Sequence, residues 1–187
     1  MFSMILFGPP GTGKTTLAMV LANELQIPYR LFNAVTSNKK DLEKIFDEAK
    51  YYRGMIVIVD EVHRLNKDKQ DLLLPHLESG LITLIGMTTA NPFHSINPAI
   101  RSRCQLFELK ELEHEDIIIG LNKAIKHPDL EGIVIDDKSI ELIAKLSGND
   151  LRFAYNLLEV AYYSTDSKVV DEKRFLEEWK SFYKKHL

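Results

Sequence analysis

Several features that mark specialised classes of protein are missing from this 187-residue sequence. Its only cysteine is Cys104, which excludes an internal disulfide framework and fits a reducing compartment. Its longest apolar runs, such as residues 55–59, fall far short of the roughly 20 residues that span a bilayer. The apolar residues 4–7 give way at once to Gly-Pro-Pro, so an export signal is not expected. The sequence therefore predicts a cytoplasmic protein that does not cross a membrane.

A strong charge of one sign is also lacking. The 24 basic residues nearly balance the 27 acidic ones, and the formal net charge of −3 gives no general attraction for nucleic acid phosphates. Basic residues form only short pairs such as Lys39-Lys40, so nucleic acid binding cannot be inferred from charge. The hydrophobic share of 45% and the charged share of 27% indicate a soluble globular fold.

The first part of the chain alternates between apolar runs and segments with helical spacing. The apolar residues 4–7 end in a glycine loop, and apolar residues then recur every three or four positions. Such alternation is typical of a parallel sheet with helices on both faces, because each pair of parallel strands needs a crossover connection. The predicted strands are residues 4–7, 29–32, 55–59, 81–87 and 105–109, and the predicted helices are 14–25, 41–52 and 68–77.

The pattern changes after about residue 110, where no further strands are expected. Acidic clusters in this part of the chain supply caps for helices. The predicted helices are residues 113–126, 137–146, 151–164 and 171–185. The predicted fold class is therefore α/β, with a five-stranded parallel sheet in a domain at residues 1–109 and a small all-helical domain at residues 110–187.

The loop at residues 8–15 carries the clearest functional motif, GPPGTGKT. It follows an apolar strand and opens a helix, which is the context that the phosphate-binding pattern G-x-x-x-x-G-K-[ST] requires. The glycines permit a tight backbone whose N–H groups point at phosphate oxygens, and the helix N-terminus adds a favourable dipole. Lys14 is predicted to reach the β- and γ-phosphates of ATP, and the Thr15 hydroxyl to bind Mg²⁺. The alternative, an ordinary Gly/Pro turn, leaves the match to this eight-residue pattern unexplained.

Two adjacent acids, Asp60 and Glu61, end the apolar run at residues 56–59. Carboxylates are costly at the end of a buried strand unless a ligand uses them. Beside a phosphate loop, Asp60 is predicted to hold Mg²⁺, and Glu61 to orient and deprotonate the attacking water. An isolated Asp-Glu pair would as readily be an acidic turn, and the neighbouring loop is what favours the catalytic interpretation.

Two further residues of reactive types have structural interpretations. His63 lacks His or Cys partners at the spacing of a metal site, which favours a positioning or structural role. Cys104 has no neighbouring His or Asn that would activate a thiolate, so a small buried thiol is expected there.

Five segments together resemble the AAA+ ATPases of the clamp-loader clade. They are residues 8–15 (GPPGTGKT), 60–66 (DEVHRLN), 74–80 (LPHLESG), 88–92 (TTANP) and 102–104 (SRC). Within this clade the sequence most resembles the bacterial replication-associated recombination protein A family, which is related to the Werner-helicase-interacting ATPases. The resemblance covers most of residues 3–165. It implies a P-loop nucleotide-binding domain at residues 1–109, a helical lid domain at 110–187, and the ATPase core of a longer protein.

The resemblance also implies roles for individual residues. Asn91, near the tip of the fourth strand, matches the γ-phosphate sensor, with Thr89 as the alternative. Arg103 matches the arginine finger that reaches ATP on a neighbouring subunit, with Arg101 as the runner-up. Arg152 matches a second arginine sensor at the start of the third lid helix. The residues with implied catalytic roles are Glu61, Lys14, Asn91, Arg103 and Arg152.

The cofactors that the motifs and the resemblance imply are ATP and Mg²⁺. The nucleotide-binding residues are predicted to be Gly8, Pro9, Pro10, Gly11, Thr12, Gly13, Lys14, Thr15, Thr16 and Asp60. Of these, Thr15 and Asp60 are the predicted Mg²⁺ ligands. Asn33 resembles the polar residue that restrains the catalytic glutamate until a ligand arrives.

The function that the resemblance implies is ATP binding and hydrolysis in a DNA repair and recombination protein that acts at stalled or gapped replication forks. The implied partners are ATP or ADP, DNA, further copies of the chain, and a single-stranded DNA-binding protein or other replisome components, in a nucleoid-associated location. Two alternatives stay open, a nucleotide-gated scaffold that recruits replication partners and a RuvB-like Holliday-junction branch-migration motor with a similar Asp-Glu-x-His-Arg segment. Residues 74–80 and 102–104 argue against the motor.

Overall fold

The computed structural model of this chain describes residues 2–164, 167–173, 175–177 and 179. The chain divides into two compact units, Met1–Lys110 and Glu111–Leu187. The described residues of the first unit form two buried apolar clusters, and those of the second unit form one.

The first unit is built on a five-stranded parallel sheet with strand order β2-β3-β4-β1-β5. This confirms the predicted fold class, and each predicted strand matches an observed one to within about two residues at its ends. The strands are β1 Met4–Phe7, β2 Tyr29–Asn33, β3 Met55–Asp60, β4 Ile82–Thr88 and β5 Gln105–Glu108. The helices are α1 Lys14–Glu24, α2 Lys39–Tyr52, α3 Lys67–Glu78, α4 Pro92–Ser95 and α5 Pro98–Arg101, with a 3-10 turn at Val62–Arg64.

The inner strand β3 shows how helices cover both faces of the sheet. Successive side chains of a strand point to opposite faces. Val57 and Val59 belong to the cluster that includes the apolar side of α2, whereas Ile56 and Ile58 belong to the cluster that includes α1. The strand is fully buried as far as its last residue, Asp60, which is exposed. The change from apolar to acidic therefore marks the point where the strand reaches the edge of the sheet.

The described part of the second unit contains three long helices and one short parallel pair of strands. The helices are α6 His114–Ala124, α7 Asp137–Leu146 and α8 Leu151–Tyr163, with a 3-10 turn at Pro128–Leu130, and the strands are β6 Val134–Ile135 and β7 Val169–Val170. The expectation that strands stop after about residue 110 was wrong in this respect, because two-residue strands are too short to show an alternating pattern. The acidic caps are confirmed, since Asp136 accepts a hydrogen bond from the Ser139 N–H at 2.7 Å and Asp150 one from the Phe153 N–H at 3.0 Å.

The predicted last helix, residues 171–185, extends beyond the residues that the structure describes. Among those residues, no helix combines the length and the apolar character needed to cross a membrane.

Candidate functional site

The loop after β1 has a backbone that requires glycine at its first position. Gly8 has φ +144°, and its N–H donates to the Thr88 carbonyl oxygen at 3.3 Å. A Cβ added to Gly8 would lie 2.0 Å from the carbonyl oxygen of Leu109. Gly11 and Gly13 also have positive φ, +71° and +83°. Gly8 therefore packs between the ends of β4 and β5. Its backbone conformation is one that residues other than glycine rarely adopt.

Gly8→Ala is expected to lower the thermal stability more than Gly54→Ala does. Both glycines have similar backbone angles, φ +144° and +137°, so both substitutions introduce similar backbone strain. Only Gly8 meets the Leu109 carbonyl, because a Cβ on Gly54 would have nothing within 4 Å. The clash should add about 1–3 kcal/mol of destabilisation. Thermal melting of the two variants measures the difference, and equal melting temperatures would show that the loop relaxes freely away from Leu109.

The helix that follows the loop begins without a side-chain cap. Gly13 is the N-cap residue of α1 and provides no side-chain hydrogen bond, whereas Asn38 caps α2 and Asn66 caps α3 through their side-chain oxygens. The first N–H groups of a helix have no partners within the helix, and the positive end of the helix dipole favours an anion there. The N-terminus of α1 therefore has the character of a phosphate site.

Lys14 places its ammonium group over the loop. Its Nζ donates to the carbonyl oxygens of Gly8 at 2.9 Å and Pro9 at 2.5 Å, and to the Thr12 hydroxyl oxygen at 3.3 Å. The Thr12 hydroxyl in turn donates to the Pro9 carbonyl at 3.0 Å. Thr15 follows in the first turn of α1. The cationic group and the helix N-terminus thus flank the same loop, as phosphate binding requires.

Asp60 lies at the carboxyl end of β3, opposite Asn33 of β2 in the sheet register. Its Oδ1 accepts from the Glu61 main-chain N–H at 3.1 Å, and its Oδ2 accepts from the Asn33 side-chain amide at 3.4 Å. Asn33 uses its own oxygen to accept from the N–H groups of Val35 and Thr36 at 2.9 and 3.0 Å. The Asn33 amide is thus directed at Asp60, whereas the resemblance had implied a contact with the catalytic glutamate.

Glu61 occupies an unusual backbone conformation at the start of the 3-10 turn Val62–Arg64. Its φ and ψ are 54° and 44°, in the left-handed region. Its Oε2 lies 3.4 Å from Nδ1 of His63, and the same Nδ1 lies 2.8 Å from the hydroxyl oxygen of Thr88. The Glu61 side chain is 36% exposed, so the carboxylate reaches solvent while remaining in contact with the histidine.

The candidate sensor residues follow directly after β4. Thr89 is exposed, and Asn91 begins α4, where its side-chain oxygen accepts from the Phe93 N–H at 2.9 Å. In parallel sheets such as this one, ligands bind in the crevice outside the carboxyl ends of the strands. The residues after β1, β3 and β4 therefore meet at the edge where a nucleotide is expected.

The two candidate finger arginines have different surroundings. Arg101 is half-buried and donates from Nη1 to the carbonyl oxygens of Phe93 and Pro92, at 2.5 and 3.4 Å, so it braces the α4 turn. Arg103 is exposed, with Nη1 donating to the Ala99 carbonyl oxygen at 2.7 Å and Nη2 paired with the carboxylate of Glu78. Arg103 is the better placed of the two to meet another molecule.

Two residues singled out in the sequence remain, Arg152 and Cys104. Arg152 is exposed in the first turn of α8, in the second unit. Cys104 packs against the apolar cluster that includes α2, and burial raises the pKa of its thiol to about 11. A thiol with so high a pKa is almost wholly protonated at neutral pH, which agrees with the expected structural role.

The sequence did not point to Thr88 or Glu78 as functional side chains. Thr88 is the last residue of β4 and is only 1% exposed, and Glu78 lies at the end of α3. Both residues fall within the segments that carry the family resemblance, which was the one signal available. Thr88 contacts His63 and Glu78 contacts Arg103, and the two residues of each pair are 25 positions apart in the sequence. Patterns within a single segment do not reveal such contacts.

Known proteins are similar to this chain over most of its length. The model of the ATPase family associated with various cellular activities (AAA) matches residues 4–112. The chain is 52% identical over 168 residues to replication-associated recombination protein A of Bacillus subtilis, covering 87% of the chain and 40% of that protein. It is 35% identical over 182 residues to ATPase WRNIP1 of Dictyostelium discoideum, covering 94% of the chain and 21% of that protein. The chain thus spans less than half the length of these relatives.

Among solved structures, the chain is similar to the RuvB Holliday junction branch migration motor of Thermotoga maritima. The TM-score is 0.79 and the sequence identity 27%, with 97% of the chain and 62% of the RuvB chain covered.

Proposed function

This chain belongs to the AAA family of ATPases, and from that premise we propose that it binds Mg-ATP at residues 8–15 and hydrolyses it with Glu61 as the general base. The observation that carries the proposal is the meeting of an uncapped helix N-terminus, a lysine and two acids at one edge of the parallel sheet. Phosphoryl transfer needs positioning and charge stabilisation above all, and these groups supply both.

The nucleotide is held through its phosphates. The N–H groups of the loop and of the first turn of α1 donate to phosphate oxygens, and Lys14 reaches the β- and γ-phosphates, while Thr16 follows in the same turn. Thr15 and Asp60 are the residues that would hold Mg²⁺, and the bound ion would neutralise charge on the phosphates. Asp60 suits this role because its described partners, the Asn33 amide and a main-chain N–H, are neutral donors and leave its negative charge for a cation.

Hydrolysis requires a group that accepts a proton from the attacking water. Glu61 is exposed enough to reach a water, and its carboxylate is oriented by a neighbouring side chain. Asn91, with Thr89 as the alternative, is proposed to sense the γ-phosphate. Arg103 acts as a finger on a neighbouring subunit, and Arg152 links the second unit to the nucleotide state.

We infer that the protein works in replication-associated recombination and repair, on DNA at stalled or gapped replication forks. The 52% identity with the Bacillus subtilis protein supports this role. A finger that acts in trans implies a homo-oligomer, and a DNA substrate implies a nucleoid-associated location, with a single-stranded DNA-binding protein or other replisome components as partners. A RuvB-like motor is the second candidate, favoured by the TM-score of 0.79 and opposed by the lower identity of 27%.

ATP hydrolysis by the assembled protein is expected to rise several-fold with forked or gapped DNA, and less with a four-way junction. ATP-driven rearrangement of subunits on the preferred DNA would accelerate the slow conformational step of the cycle. Steady-state turnover with each DNA, at matched ionic strength, makes the comparison.

The other outcomes separate the alternatives. Greater stimulation by the four-way junction would favour the RuvB-like motor. ATP-dependent assembly with turnover that no DNA stimulates would favour the nucleotide-gated scaffold and contradict the proposed role on DNA.

A further inference from the structure

The hydroxyl of Thr88 connects the end of β4 with the turn that follows β3. Thr88 is 1% exposed, and a buried hydroxyl needs hydrogen-bond partners. Its Oγ1 accepts from the Ala90 N–H at 3.0 Å and lies 2.8 Å from Nδ1 of His63. Ala90 belongs to the segment that carries the candidate sensors Thr89 and Asn91. A single buried hydroxyl therefore contacts both the histidine and the sensor segment.

The turn that carries His63 is held firmly against β4. Val62 is 2% exposed, and it packs over Gly86, where an added Cβ would lie 3.1 Å from a Val62 side-chain carbon. The absence of a side chain at Gly86 is what allows this close approach. The Arg64 N–H also donates to the Glu61 carbonyl at 2.7 Å and closes the turn. His63 is therefore fixed by packing on one side and by the Thr88 hydroxyl on the other.

Glu61 is constrained at both its backbone and its carboxylate. The left-handed region is unfavourable for a non-glycine residue, which adopts it only where the surroundings impose it. This backbone sets the direction of the side chain, and Oε2 lies 3.4 Å from His63 Nδ1. With hydrogen on Nδ1, that N–H is shared between two acceptors, the Thr88 hydroxyl oxygen at 2.8 Å and Oε2 at 3.4 Å, whereas an unprotonated Nδ1 would place its lone pair beside the carboxylate.

We propose that His63 is a positioning residue for Glu61 and that Thr88 anchors it, a role that rests on the proposed function of Glu61 as the base. The Nδ1–H, shared between Thr88 Oγ1 and Oε2, keeps Oε2 beside the imidazole and leaves Oε1 to accept the proton of the attacking water. Because Thr88 also supports the turn at Ala90, the orientation of the base is tied to the segment proposed to sense the γ-phosphate.

The test compares two amides at position 63. The side-chain nitrogen of Asn can occupy the position of Nδ1, whereas that of Gln corresponds to Nε2. His63→Ala and His63→Gln are expected to lower kcat on the order of 10- to 100-fold, since a base displaced by about 1 Å loses this much. His63→Asn should keep kcat within a few-fold of the unmodified protein. All three should bind ATP with unchanged Kd, because His63 makes no proposed phosphate contact.

The anchor is tested by a second pair of variants and by their combination. Thr88→Val removes the hydroxyl and should lower kcat by a factor similar to that of His63→Ala. Thr88→Ser keeps the hydroxyl and should therefore keep kcat near that of the unmodified protein. The double variant His63→Ala/Thr88→Val should be no slower than the slower single variant, because both remove the same restraint.

The outcomes distinguish this inference from the proposed function. If the unmodified protein does not hydrolyse ATP, the proposed function fails and the inference with it. If the unmodified protein hydrolyses ATP and His63→Ala is as fast or faster, only the positioning role is overturned. Equal losses of ATP affinity or of thermal stability in His63→Asn and His63→Gln would show a merely structural histidine and would also overturn it.

Discussion

Glu61→Gln should bind ATP as tightly as the unmodified protein and hydrolyse it almost not at all. The amide keeps the size and the hydrogen-bonding capacity of the carboxylate but cannot accept the proton of the attacking water. A well-placed general base contributes about 10²- to 10⁴-fold to the rate, and turnover should fall by a factor in that range. Nucleotide titrations give Kd, and steady-state assays of phosphate release give kcat.

Lys14→Ala supplies the contrast, since it should weaken ATP binding itself. The Lys14 ammonium lies over the phosphate loop, within 2.9 Å of the Gly8 carbonyl oxygen, whereas the Glu61 carboxylate contacts His63. Loss of the lysine therefore removes charge from the phosphate site in both the ground state and the transition state, and loss of the Glu61 carboxylate affects only the transition state. The division of roles would be wrong if Glu61→Gln lost affinity as severely as Lys14→Ala.

The sequence predicted the long elements well because their periodicity is strong. The β3 strand Met55–Asp60 is an unbroken apolar run that ends in an acid, and this alone indicates a buried strand with an exposed tip. The short elements have no such signal. The four-residue helices Pro92–Ser95 and Pro98–Arg101, like the two-residue strands in the second unit, are shorter than the window that a period needs.

The candidate site likewise has a part that local sequence predicts and a part that depends on tertiary contacts. The phosphate loop and the adjacent acids Asp60 and Glu61 are contiguous motifs, so residue types and spacing were enough to predict them. The pairing of His63 with Thr88 depends on how the turn after β3 packs over Gly86. That arrangement follows from the tertiary packing of β3 and β4, and no pattern within a single segment specifies it.

Arg103 forms a surface ion pair that is weak enough to break. Its guanidinium pairs with the Glu78 carboxylate, and the two side chains are 37% and 55% exposed. Exposed ion pairs contribute only about 0–1 kcal/mol, because water and salt screen them. The pair with Glu78 therefore keeps the arginine ordered at the surface without preventing it from turning towards the phosphates of a neighbouring subunit.

Arg103→Ala should leave ATP binding by each subunit intact and reduce hydrolysis on the order of 10³-fold or more, as expected for an arginine finger. Arg101→Ala is the matched control, because Arg101 is half-buried and braces the α4 turn through the Phe93 carbonyl. Arg101→Ala should lose thermal stability, but it should keep a larger share of the unmodified turnover than Arg103→Ala does. Hydrolysis by Arg103→Ala at the unmodified rate would exclude the finger role.

Mixing two nearly inactive variants should then restore hydrolysis. In the assembled protein, Arg103→Ala subunits retain Glu61 and Glu61→Gln subunits retain Arg103, so a mixed oligomer contains some sites in which both groups meet. Neither variant alone contains such a site. Mixing Arg103→Ala with the double variant Arg103→Ala/Glu61→Gln controls for dilution, because that mixture has no finger at all. Mixed oligomers that form and yet stay inactive would show that Arg103 does not act on the neighbouring subunit.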